Sequence, residues 1–252
     1  MNWPFIVLQQ LVDNSVPVLP HAAALKIGLA VFWAVVLASS ALFFSARLPR
    51  SWRWILAGLV AGWALWPGPA SPTYWLGLAF QLPSWTTVLL CSYWLCRQAK
   101  VQKGAETAYP PWAQSALLTL KFWAVAGVVI GWVLLADSFA LFGASVYHWG
   151  FGRGALAVLL VVALIPWLLW GGRPHVQFES AAVMALLPAA LALGVASRLP
   201  TGNVWDVLLD PWLWLGLQVS WFWSFWQARR AVRRTQVAAP VSVTPAPATI
   251  PD

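Results

Sequence analysis

Charge is scarce in this sequence: 9% of its 252 residues are Asp, Glu, Lys or Arg, and only seven of them are acids. A soluble domain carries about a quarter charged residues, so an ordinary water-facing globular surface is excluded. Apolar residues fill the chain instead, at 61%, with a mean hydropathy of +0.72. In lipid, long apolar runs must pair their backbone groups internally, which makes them helices. The short alternating segments of a membrane β-barrel are missing.

Cysteine and histidine are nearly absent too. Cys91 and Cys96 stand outside CxxC spacing and read as small, partly buried thiols. There is no HExxH, and no serine has a nucleophile-elbow context. The glycine-rich stretch from Gly150 to Gly154 follows no strand and opens an apolar helix, so it does not read as a dinucleotide loop. No catalytic set stands out. The first 20 residues hold no Lys or Arg, so the charged region of a cleavable leader is not evident.

The apolar runs predict an all-α, polytopic membrane protein with seven transmembrane helices. They cover Ala22 to Ala46, Trp52 to Trp66, Tyr74 to Cys96 with Pro83 inside, Trp112 to Ala136, Gly154 to Trp170, Ser180 to Ser197 with Pro188 inside, and Pro211 to Gln227. The cations sort by side. Arg47, Arg50, Arg53, Arg97, Lys100, Lys103, Arg173, Arg229, Arg230, Arg233 and Arg234 fall in one set of connections; only Lys26, Arg153 and Arg198 fall in the other. The positive-inside rule then places the N-terminus outside and the C-terminus in the cytoplasm, in a bacterial inner membrane. This placement also explains the net charge of +8 without nucleic acid. Residues 231–252, rich in Pro and Ala, are expected to be a disordered cytoplasmic tail.

Tryptophan is the abundant residue, at 21 copies. Most fall near predicted span ends, where an indole settles at headgroup level. Trp85, beside Pro83, is the best candidate for a pocket.

An internal repeat is legible. His21, Lys26 and Leu29-Ala30-Val31 match His148, Arg153 and Leu156-Ala157-Val158 at a constant offset of 127. Later, "PTYWLGL" from Pro72 matches "PWLWLGL" from Pro211. The expected layout is a parallel 3+1+3 repeat: an outer segment 1–21, a first unit 22–100, a loop and connecting helix 101–136, a second unit 137–230, and the tail. That layout and the chain length resemble the SWEET-type sugar carriers, with no sequence motif to carry residues across. Gly58-x-x-x-Gly62 and Gly127-x-x-x-Gly131 offer surfaces for close helix approach.

Three functions follow as expectations. One is a membrane-embedded subunit or assembly component of a larger complex, with the lipid bilayer and other membrane subunits as partners. Another is a small-solute transporter, with Gln81, Trp85, Lys121 and Gln218 along the pathway. The third is a haem- or metal-binding protein, in which His21 and His148 form an outer-face ligand pair and Asp13 and Asp137 orient the rings.

Overall fold

The computed structural model describes residues 20–100, 111–170 and 178–238. Ten helices follow in chain order: α1 (Ala22–Phe44), α2 (Arg50–Leu65), α3 (Pro72–Phe80), α4 (Trp85–Lys100), α5 (Pro111–Ser138), α6 (Val146–Trp149), α7 (Arg153–Trp170), α8 (Phe178–Ser197), α9 (Val204–Leu208) and α10 (Pro211–Ala238). No strand occurs among the described residues, so the all-α expectation holds. Two stretches, Ala22–Phe44 and Lys121–Ser138, are long and apolar enough to cross a membrane.

Helix α1 has 23 residues, about 34 Å at 1.5 Å per residue. His21 caps its start: the ring Nδ1 accepts from the Ala23 N–H at 3.3 Å. Its first half packs on Leu82, Val88 and Leu199, with Phe32 at the centre of that cluster. Its second half, at Ala38 and Leu42, packs on Ala57 of α2 and on Trp94 and Leu95 of α4. A separate cluster joins α7, α8 and α9 through Leu156, Leu191 and Val204. Helix α8 also contacts α4 and α5, which puts it between the two halves of the chain.

The expected third span is not one helix. Helix α3 ends at Phe80, Gln81 adopts φ 59°, ψ −142°, and α4 starts at Trp85. The reason is local. Pro83 has no N–H to donate and disfavours helical backbone at Leu82. Leu82, Pro83 and Ser84 are buried, so their backbone needs partners from elsewhere in the chain. Trp33 Nε1–H donates to the Gln81 carbonyl at 2.9 Å, and Ser84 N–H donates to Asp210 at 2.7 Å. Pro166 and Pro188, by contrast, sit inside continuous helices.

Two further differences follow from local chemistry. Helix α10 runs on to Ala238, into residues 231–238 that composition assigns to the tail. The sequence there, "AVRRTQVA", contains no Pro or Gly to stop it. The short helices α6 and α9 interrupt stretches that lack helical periodicity; each starts with a capping side chain, Ser145 and Asn203.

The two glycine pairs behave differently. A Cβ on Gly131 would lie 2.2 Å from Trp214 Cδ1, and one on Gly127 would lie 2.9 Å from Leu217, so this pair is where α10 closes on α5. Trp214 Nε1–H donates to the Val128 carbonyl across that contact at 3.2 Å. Gly58 and Gly62 have nothing within 4 Å of the same position.

Candidate functional site

Two connections meet at the end of the bundle where α1 begins. The Asn203 side chain accepts from Trp205 N–H at 3.0 Å, which starts α9, and donates to the Tyr147 carbonyl at 3.0 Å. Val204 N–H donates to the Gly150 carbonyl at 3.1 Å, and Trp205 Nε1–H to the Val146 carbonyl at 3.0 Å. Gly150 is required here, because a Cβ would lie 2.1 Å from Asn203 Oδ1. Together these bonds hold the α6 turn against α9.

That docking aims one phenol at one carboxyl group. Tyr147 O–H donates to Asp206 Oδ2 at 2.7 Å, and Thr201 O–H donates to the same oxygen. Burial pushes the Asp206 carboxyl above its usual range, against the opposing pull of the two donors. The Tyr147 phenol is also pushed up, first by burial and then by the neighbouring Asp206. Both shifts run the same way, so each group holds its proton more tightly than it would in water, and Tyr147 is placed as a donor to Asp206.

Asp206, Tyr147 and Thr201 open onto a cavity of about 340 Å³, also lined by Phe80, Gln81 and Asp210. Asp210 has a structural role. Its Oδ2 accepts from Ser84 N–H at 2.7 Å and from the Thr87 hydroxyl, and its Oδ1 accepts from Leu213 N–H at 2.7 Å. One buried carboxylate thus ties the broken α3–α4 backbone to the first turn of α10. Asp206 is left as the ionisable group available to a ligand in the cavity.

The expected site residues spread out. Asp13 lies outside the described residues. His21 is the exposed cap of α1, and His148 is exposed in α6 with its ring tilted against Phe151. The histidines that match in sequence thus play different local roles. Asp137 accepts from Ser145 O–H at 3.0 Å and from Tyr147 N–H at 2.8 Å; no hydrogen bond joins it to the His148 ring. Among the described residues, no three His, Cys, Asp or Glu side chains come together to hold a metal. Trp85 donates to Ser197 Oγ at 3.1 Å and packs on Phe32, so it braces α4 against α8. Lys121 is exposed, and Gln218 reaches only Trp214 of its own helix, at 3.5 Å. Of the four pathway candidates, Gln81 alone lines the cavity.

Tyr147, Thr201, Asp206 and Asp210 were not singled out by spacing. One signal was available: "WDVLLD" carries two of the seven acids, four residues apart, in a connection between apolar runs. No protein-family model, no curated protein and no solved structure matches the chain.

Proposed function

We propose that the chain is a bacterial inner-membrane protein of seven spans in a 3+1+3 repeat, with its N-terminus outside, and that it takes up a small polar solute at its outer end. The membrane part rests on exposure. Only 6% of the apolar stretch Lys121–Ser138 is buried, whereas the core helix of a soluble protein is mostly covered. Such a surface suits lipid and not water. Helices α3 and α4 then form one broken span, with Leu82, Pro83 and Ser84 of its irregular backbone buried in protein and Gln81 at the cavity, where non-helical backbone is tolerated in a membrane.

The cavity beside Asp206 carries the solute part. It gathers a carboxyl group, a phenol and an amide where broken and short helices meet, a few converging polar groups of the kind that orient a small polar ligand in a concave site. The test is a thermal-shift screen of detergent-purified protein against small amines, amino acids and sugars. A hit that stabilises wild type and loses its effect in Asp206→Asn and Gln81→Ala supports the reading. Hits that are equal in all three proteins refute it.

A second reading, a membrane-embedded subunit, is favoured by α2. Gly58 and Gly62 lie bare on a face with exposed Ile55, Leu59 and Trp66, where a helix of another protein can approach closely. Gly58→Leu should then cost a co-purifying partner while leaving this chain folded.

A further inference from the structure

The cavity beside Asp206 has a wall of one sign. Asp206 and Asp210 both line it, and among the described residues of the lining none is Lys, Arg or His. The groups bonded to the two carboxyls supply no counter-charge either. Asp206 accepts from the Tyr147 phenol at 2.7 Å and from the Thr201 hydroxyl, both on Oδ2. Asp210 accepts from the backbone N–H groups of Ser84 and Leu213 and from the Thr87 hydroxyl. All these donors are neutral. A carboxylate taken out of water is ordinarily matched by a cation; among the described residues none does so here. Both oxygens of Asp210 are engaged, whereas Oδ1 of Asp206 accepts from no described residue.

The rest of the lining suits an apolar body beside a group that donates. Phe80 is held by aromatic contacts: its ring packs edge-on against Trp212 at 4.7 Å, and Trp212 packs against Trp33. Gln81 keeps φ 59°, ψ −142°, backbone that usually falls to glycine. Its N–H and carbonyl are taken by the Gly77 carbonyl at 3.1 Å and the Trp33 indole at 2.9 Å. What it adds that glycine lacks is a side-chain amide in the lining, whose oxygen accepts. An anion would meet two carboxyls here. An ammonium group, which only donates, meets acceptors at Asp206 and Gln81, and an aromatic ring attracts the same charge.

We propose that the cavity takes a small organic cation, an alkylammonium whose charged head sits at Asp206 and Gln81 and whose apolar body lies against Phe80. This deepens the solute reading given above and rests on it. A cation beside Asp206 also offsets the burial that raises this carboxyl.

The test is calorimetric titration of the full chain in a neutral detergent, near neutral pH, with three probes of similar size: butylamine, butanol and butyrate. The first is then a cation, the second neutral and the third an anion. Butylamine should bind, and the other two should bind at least about tenfold more weakly. Asp206→Asn keeps an acceptor for Tyr147 and Thr201 but removes the charge; it should weaken butylamine by about tenfold to a hundredfold and move butanol little. Phe80→Leu keeps both carboxyls and should weaken butylamine by about threefold to tenfold. The comparison of probes on wild type stands even where a variant fails to fold. Butanol or butyrate binding as tightly as butylamine would overturn the proposal. So would an affinity for butylamine unchanged in Asp206→Asn or in Phe80→Leu, or no binding of any probe. The solute reading fails separately, when no ligand in the wider screen depends on Asp206 and Gln81.

Discussion

Removing the Asp210 carboxylate should loosen the contact between the two halves of the chain. Asp210 is 7% exposed and accepts three hydrogen bonds from two elements. In Asp210→Ala, the buried Ser84 N–H loses its acceptor, because no helical turn precedes it across the break. An orphaned buried donor costs about 1–3 kcal/mol. The first turn of α10 loses its cap at Leu213, which costs about 0.5–2 kcal/mol. Thr87 keeps a partner in Ser84 Oγ at 3.0 Å, so its share is small. The sum is roughly 2–5 kcal/mol. At about 2–4 °C per kcal/mol for a chain of this size, the melting temperature in detergent should fall by about 10 °C. Asp210→Asn keeps an acceptor oxygen for one donor and should fall between the two. Limited proteolysis should show cleavage near residues 81–84 before the rest of the chain. If Asp210→Ala melts within 2 °C of wild type, the carboxylate does not hold the break, and the account of α3 and α4 is wrong.

Other outcomes follow from the same structure. Gly131→Ala places a methyl group against Trp214; overpacking of about 1–3 kcal/mol should exceed the helix-propensity gain of up to about 1 kcal/mol, while Gly58→Ala, in open space, should melt at or above wild type. The Asp206 carboxyl is raised in the folded chain, so its contribution to stability is present below the usual carboxylate range and fades as pH rises through the raised value. The melting temperature of wild type minus that of Asp206→Asn should therefore shrink between pH 4 and pH 7, and a growing difference would contradict the burial argument. Lys121→Ala, at an exposed position, should leave membrane insertion and a monodisperse elution peak intact. His21→Ala/His148→Ala should match wild type in absorption spectrum and metal content, since among the described residues no three His, Cys, Asp or Glu side chains gather at either ring; a Soret band or stoichiometric metal lost in the double variant would restore the ligand-pair reading.

Much of the fold is written in residue order. Apolar length without alternation makes every described element a helix. Ser71 before Pro72 and Asp210 before Pro211 mark two helix starts, which is why "PTYWLGL" and "PWLWLGL" look alike: each has a capping side chain followed by Pro in the first turn. From that point the two segments diverge. Helix α3 stops after nine residues and α10 runs for 28, because Pro83 stands eleven residues after Pro72, whereas Phe222 holds that place after Pro211 and the next proline there is Pro240.

The site was less legible, because its residues come from different segments. Sequence rarity pointed to His21 and His148, but an unusual residue at a helix start is as well used as a cap as it is as a ligand. The groups that line the cavity are common types, a Tyr, a Thr and an Asp, at positions 147, 201 and 206. Nothing in local spacing relates Tyr147 to Asp206, 59 residues away; the bonds from Asn203 and Trp205 to the α6 turn do so. Likewise, either glycine pair fits close helix approach by sequence alone. Only the packing decided that Gly127 and Gly131 receive Trp214 and Leu217 while Gly58 and Gly62 stay bare. The sequence by itself determined helical character, the helix starts and the gathering of cations into a few connections, since these depend on side-chain polarity and on neighbours within four residues. The tertiary structure alone decided that, of the two carboxyl groups lining the cavity, Asp210 is taken up by the α3–α4 break and α10 while Asp206 meets Tyr147 and Thr201, because a carboxyl group's role depends on donors brought to it from distant parts of the chain.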